Sequence, residues 1–235
     1  MKKYYFTITS ILFFGLLSCS NEETKTQNQE ALRPTVPSQP NTVTDIDGNV
    51  YRIVTIGNQS WTKTNLNVSH YRNGDPIPQV TDTAEWANLT TGAWCYYNNG
   101  QVNGPIYGKL YNWYAVNDPR GLAPIGWHVP SYVEWNALST FLGGIFVANK
   151  MKATTGWTSY IGIINTNTSG FTGLPGGLRS GSSYDYNLLT NGSWWSSSEK
   201  DTSFSWGVGL DYDHSSFNSG YGNKKIGFSV RCIKD

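Results

Sequence analysis

The chain has 235 residues, with 17 Lys plus Arg against 16 Asp plus Glu and only 14% charged residues. That length admits one domain of moderate size plus a tail, and the balanced charge excludes the basic field that nucleic-acid binding requires. Low charge combined with 25 glycines and 10 tryptophans points to a loop-rich fold outside the cytoplasm.

Lys2 and Lys3 open the chain, an apolar run follows from Tyr4 to Leu17, and Leu16-Leu17-Ser18-Cys19 closes it. The run is too short for a comfortable membrane span and reads as a targeting segment over residues 1–18. The tetrapeptide resembles the lipobox of bacterial lipoproteins, which implies cleavage before Cys19 and acylation of its thiol. Acyl chains anchor by burying methylenes, each contributing about 0.8 kcal/mol, so two or three hold a protein firmly on a bilayer. Ser20-Asn21-Glu22-Glu23 resembles the signal that sends Bacteroidetes lipoproteins to the outside of the outer membrane. Residues 19–44, with Pro34, Pro37 and Pro40 among polar neighbours, read as a tether.

The folded domain is expected over 45–235. Asp45-Ile46-Asp47-Gly48-Asn49 is a turn cluster; it has the start of a calcium loop but Ile56 where the bidentate Glu belongs, so a plain turn is the better reading. Val50 to Ile56 and Gln59 to Leu66 predict a hairpin turning at Gly57-Asn58. A short helix is expected around Thr83 to Leu89. Leu110, Trp113, Tyr114 and Asn117 recur at helical spacing and predict a helix over Tyr107 to Asn117. Ser131 and Glu134 form a capping box for a third helix that ends at Gly143-Gly144, with Val133, Leu138, Phe141 and Leu142 expected on its apolar face. A helical turn follows near Val147 to Lys152. The last third alternates as strands do, at Trp206, Val208 and Leu210 and again at Phe228, Val230 and Cys232.

With Cys19 lipidated, two cysteines are left, Cys95 and Cys232. In an oxidising envelope two such residues usually pair, and the bond would contribute roughly 4 to 5 kcal/mol on the chain-entropy model. The alternative is two buried thiols. Neither belongs to a C-x-x-C pair, so zinc chemistry finds no support.

Several blocks together resemble one known family. Asp47-Gly48-Asn49-Val50-Tyr51, Ile56 to Trp61, Tyr107 to Val116, Gly126-Trp127-His128-Val129-Pro130-Ser131, Leu174-Pro175-Gly176-Gly177, Trp194 to Glu199 and Ser229 to Asp235 are similar to the Fibrobacter succinogenes major paralogous domain. The resemblance covers about Thr44 to Asp235. It implies an envelope lipoprotein domain, and an α+β, C-type-lectin-like arrangement in which two main helices flank twisted antiparallel sheets with long loops. Gly126 to Trp135 also resembles a block of formylglycine-generating proteins.

The fold is firmer than the role. One expectation is a non-catalytic binding module, an adhesin or glycan-binding domain, with Trp194 and Trp206 as stacking faces and Glu199, Asp211 and Asp213 binding hydroxyls. Calcium-dependent binding would draw on the same carboxylates, but the E-P-N and W-N-D motifs of calcium lectins are missing, so neither a metal ligand nor a cofactor is assigned. A second expectation is a subunit of a surface assembly that binds another protein. An enzyme is disfavoured: His70, His128 and His214 lack metal-ligand spacing, and the cysteine pair that the formylglycine-generating relatives use would here be spent on a bridge. The partners expected are a lipid bilayer through Cys19 and a glycan or surface protein.

Overall fold

Gly57 and Asn58 make the tight turn expected of them, and the chain's first sheet grows from it. The computed structural model describes residues 41–181 and 185–235; Cys19 and the stretches read as signal segment and tether, up to residue 40, lie outside the described residues. Strand β1 (Thr42–Thr44) pairs antiparallel with β2 (Val50–Ile56), which turns back into β3 (Gln59–Thr62). Paired backbone is therefore already present at Thr42, inside the stretch read as tether. Gly57 has φ 62, the left-handed conformation that a two-residue hairpin turn requires.

Helix α1 (Thr83–Ala87) starts where Asp82 accepts a hydrogen bond from the Glu85 N–H. The helix expected over Tyr107 to Asn117 is replaced by three short pieces: α2 (Gly104–Tyr107), β5 (Leu110–Tyr111), which pairs with β4 (Trp94–Cys95), and α3 (Trp113–Val116). Gly108 is the cause. Its φ is 75, and a Cβ there would lie 2.7 Å from the Leu66 carbonyl, so the chain leaves the helix and packs against Leu66 instead. Asn112 then restarts a helix by accepting from the Ala115 N–H.

After β6 (Trp127–His128) comes α4 (Tyr132–Leu142), the one described helix longer than five residues. Its capping box is formed: the Ser131 hydroxyl accepts from the Glu134 N–H, and the Glu134 carboxylate accepts from the Ser131 N–H at 2.7 Å. Gly143 closes it at φ 117. The buried face differs from the expected one. Trp135, Leu138 and Ser139 point inward, while Val133 and Phe141 are exposed; at 100° per residue Val133 lies nearly opposite Trp135. A second long helix to flank the sheets is therefore lacking among the described residues.

A short α5 (Ala148–Met151) precedes a loop that leads to β7 (Gly176–Arg179) and β8 (Asp185–Leu188). Then β9 (Asn191–Glu199), β10 (Phe204–Asp211) and β11 (Phe217–Asn223) form a broad antiparallel meander. The second sheet runs β11-β10-β9-β7-β8. Phe228 to Cys232 does not form the expected strand; isolated bridges at Gly227, Phe228 and Ser229 carry the chain across the core to β12 (Ile233–Lys234). Strand β12 inserts between β3 and β6, giving the first sheet the order β1-β2-β3-β12-β6. The whole is α+β with sheet predominating.

The core is rich in tryptophans, several of whose indole N–H groups find backbone or amide acceptors: Trp195 reaches Tyr111 O, Trp113 reaches Ser196 O, and Trp194 reaches Asn65 Oδ1. At its centre Arg231, fully buried, donates to Asn65 Oδ1, Thr62 O, Phe171 O and Thr172 O, and lies over the Phe171 ring. No bond joins Cys95 to Cys232, which corrects the pairing expected in an oxidising envelope. Cys95 packs with Val80, Trp86 and Leu110, whereas Cys232 packs in a different cluster with Tyr51, Leu66 and Tyr111. Burial pushes the Cys232 thiol well above its ordinary value, so it stays protonated.

Candidate functional site

Alternation along β10 puts Trp206, Val208 and Leu210 on one face of the meander and Ser205, Gly207, Gly209 and Asp211 on the other. On the first face, Val208 and Leu210 are covered and Trp206 is half-buried. Trp206 pairs in register with the exposed Tyr221 of β11, and their rings meet edge to face at 6.1 Å. Tyr132, the first residue of α4, lies against the other side of Trp206 at 4.4 Å. Phe204 meets Tyr221 at 5.7 Å, and the Lys200 ammonium sits over the Tyr221 ring, 3.0 Å from its centroid. Tyr132, Trp206, Tyr221 and Phe204 thus form a continuous aromatic ladder at the surface, capped by a cation. Glu199 at the end of β9 binds the buried Lys224 ammonium beside it.

The residues singled out on sequence are dispersed by the fold. Trp194 is buried in the core, edge to face with Phe171 at 5.7 Å, and presents no face to a ligand. Asp211 lies five residues beyond Trp206, about 17 Å along an extended strand. Both of its carboxylate oxygens are occupied, by Asn191 and Asn218 at 2.8 Å each. Asp213 is not on the strand; it sits in the turn after it, paired with His214. Of these residues only Trp206 belongs to the ladder; Glu199 pairs with Ser205 of β10, on the opposite face of the meander. Among the described residues no group of three or more His, Cys, Asp or Glu side chains is placed to hold a metal ion. Sequence reading missed Tyr132, Lys200, Phe204 and Tyr221. The spacing of Phe204 and Trp206 was a usable signal for two of the rings, but nothing local tells that Tyr132 comes to them from a separate helix.

Two of the concavities found elsewhere adjoin residues already discussed. On the opposite face of the meander, Gly207, Gly209 and Gly220 leave a shallow groove of about 190 Å³ beside Ser193, Asn218 and Phe228. The other, about 160 Å³, is lined by Asp45, Ile46, Arg72, Leu122 and Ile125. Its polar groups are spent inside the fold: Asp45 accepts from the Asp47 and Asn49 N–H groups and the Tyr51 hydroxyl, and Arg72 donates to the carbonyls of Ala123, Pro124 and Trp127. The Asp45–Asn49 stretch is therefore a self-satisfied turn. Nearby, Lys109 is buried over the Trp94 ring at 4.1 Å and donates to Asn67 O and Ser69 Oγ. Burial pulls its pKa down to about 8.

Residues 54–234 match the family model described as the Fibrobacter succinogenes major domain. No curated protein and no solved structure matches the chain.

Proposed function

The chain belongs to the Fibrobacter succinogenes major domain family, and we propose that it is a non-catalytic binding module, displayed on the outer membrane through an acylated Cys19, that recognises glycans along its aromatic ladder. The observation that carries this reading is the run Tyr132, Trp206, Tyr221, Phe204, left partly open to solvent although the core beneath is complete. Sugar rings present C–H faces that stack on such side chains while their hydroxyls need polar neighbours, and Lys200 borders the ladder. A non-catalytic role is favoured because the carboxylates around the meander are spent on structural partners, Glu199 on Lys224 and Asp211 on two asparagines. The finer fold proposed is C-type-lectin-like. It is supported by two twisted sheets, long loops, and a first sheet that receives both the first strand and the last. The anchor rests on the lipobox-like Leu16-Leu17-Ser18-Cys19.

A glycan-array screen with calcium and again with chelator tests the reading. Saturable binding is expected that Trp206→Ala reduces by about tenfold or more while the far-ultraviolet spectrum is unchanged. Binding unaltered by Trp206→Ala or Tyr221→Ala would remove the ladder from the site, and no binding in either arm would transfer the surface to a protein partner.

A further inference from the structure

Between Glu134 and Arg179 the sequence contains no acidic residue, and its only charges are Lys150 and Lys152. Lys152 is buried, donating to the carbonyls of Asp211 and His214, which leaves Lys150 as the exposed cation of this span. On the same span stand large apolar side chains that the fold does not cover: Phe146 is 72% exposed, Ile161 92% and Ile164 75%. They belong to one end of the molecule. The Thr166 N–H and hydroxyl both donate to Asn149 O, and the Ser169 N–H and hydroxyl donate to Lys150 O, so the chain that follows the 160–164 loop is fastened onto α5, whose start is two residues after Phe146. Tyr160 at the start of the loop is braced edge to face on Tyr212 at 5.6 Å. The two carboxylates that flank Tyr212 in sequence are both engaged, Asp211 by Asn191 and Asn218 and Asp213 by His214.

The core inside this end is already filled by Val147, Ala148, Met151 and Phe171. These outward isoleucines and phenylalanine are therefore surplus to folding, and an exposed apolar cluster of this kind marks an interaction surface. Its chemistry selects the partner. A protein partner would have to offer a pocket to receive the projecting apolar tip. A bilayer surface asks only for apolar side chains on a protruding loop, tolerates an interfacial tyrosine, attracts a lysine and repels carboxylates. We propose that the 160–164 loop and Phe146 form a lipid-docking surface that seats the domain on the headgroup layer of an anionic phospholipid bilayer. The presence of a bilayer within reach rests on the proposed Cys19 anchor; the affinity for lipid does not.

The test uses the full chain in a Cys19→Ser background, so that it is independent of acylation. A nitrobenzoxadiazole dye is placed at Ile161→Cys or, as control, at the exposed Asp201→Cys, and vesicles of phosphatidylglycerol and phosphatidylcholine are titrated in. A blue-shifted, several-fold brighter signal that brominated lipid quenches is expected at position 161 and not at 201. Adding Phe146→Ser with Ile164→Ser is expected to move the titration midpoint of the position-161 signal by about tenfold or more. A dye at 161 that stays in water on vesicle-bound chain, or a midpoint unmoved by the two serines, overturns the proposal. Protection of 161 by envelope protein but not by vesicles would overturn it in favour of a protein partner.

Discussion

Arg231 shows how much of this fold hangs on one side chain. Its guanidinium is fully buried without a carboxylate, and carbonyl and amide oxygens from two separate segments converge on it: Thr62 with Asn65, and Phe171 with Thr172. Burial pulls its pKa down to about 9, so it remains charged at neutral pH, compensated by oriented dipoles. The planar fork matters as much as the charge. Lysine keeps the charge but offers three donors from a single nitrogen and cannot span these acceptors. Arg231→Lys is therefore expected to cost about 2–4 kcal/mol, because buried oxygens lose their partners. The measurement is a urea midpoint that falls with an unchanged slope; a loss below about 0.5 kcal/mol would show that the fork is dispensable. Asn65 is saturated in the same network: its oxygen accepts from Trp194 and Arg231, and its amide donates to Tyr107 O and Ser229 Oγ.

At the scale of the element, the N-terminus of α4 is a small titrating assembly. His128 contacts Asp235 through Nδ1 at 2.6 Å and Glu134 through Nε2 at 2.9 Å, while Glu134 also closes the capping box. Burial works against the charged imidazole, but the hydrogen bonds to Asp235 and Glu134 outweigh it and hold His128 above its ordinary value of 6.5. Burial likewise opposes the Glu134 carboxylate, and the Ser131 amide with His128 outweighs it, holding Glu134 below 4.5. The raised histidine contributes stability that is complete below its unfolded pKa and lost as pH rises through the folded one; the lowered carboxyl contributes above its unfolded pKa and loses it in acid. The assembly thus stabilises most between those limits. Comparing the chain with His128→Gln, the difference in urea midpoint should be larger at about pH 5.5 than at about pH 8.5. An equal difference at both would mean that the ring acts by packing alone. This helix start was legible because a capping box is local: Ser131 and Glu134 declare it without help from the rest of the chain. The hairpin at Gly57-Asn58 was legible for the same reason. The segment from Tyr107 to Asn117 was not. Its helical spacing is real, but Gly108 needs its positive φ to approach Leu66, a contact 42 residues away that no window can see. The candidate site suffered likewise, since burial of Trp194 and the approach of Tyr132 to Trp206 are both tertiary facts.

For the whole molecule, the consequential feature is that the first sheet joins strands far apart in sequence, β3 and β6 meeting only through β12. Strand β12 holds Ile233 between Trp61 of β3 and His128 of β6, and Asp235 adds its N–H to Gly126 O. The second-sheet strands β9, β10 and β11 are by contrast neighbours in sequence and pair in order. Closing a loop as long as the one from Trp61 to Ile233 costs chain entropy before any contact offsets it, so local pairing has the kinetic advantage. The meander and the β2–β3 hairpin are therefore expected to form first, with β12 inserted after the rate-limiting step. Ile233→Val removes one buried methylene from a side chain that is 3% exposed and should cost about 0.5–1.5 kcal/mol without blocking folding. Since the native contacts of Ile233 would be absent from the transition state, nearly all of that loss should appear as faster unfolding, with the folding limb of the chevron unmoved. A Leu210→Ala change in the meander is the internal reference, because its loss should also slow folding. If Ile233→Val instead slowed folding in proportion to its destabilisation, the sheet that unites the two ends of the domain would belong to the nucleus, and the order of assembly would be reversed.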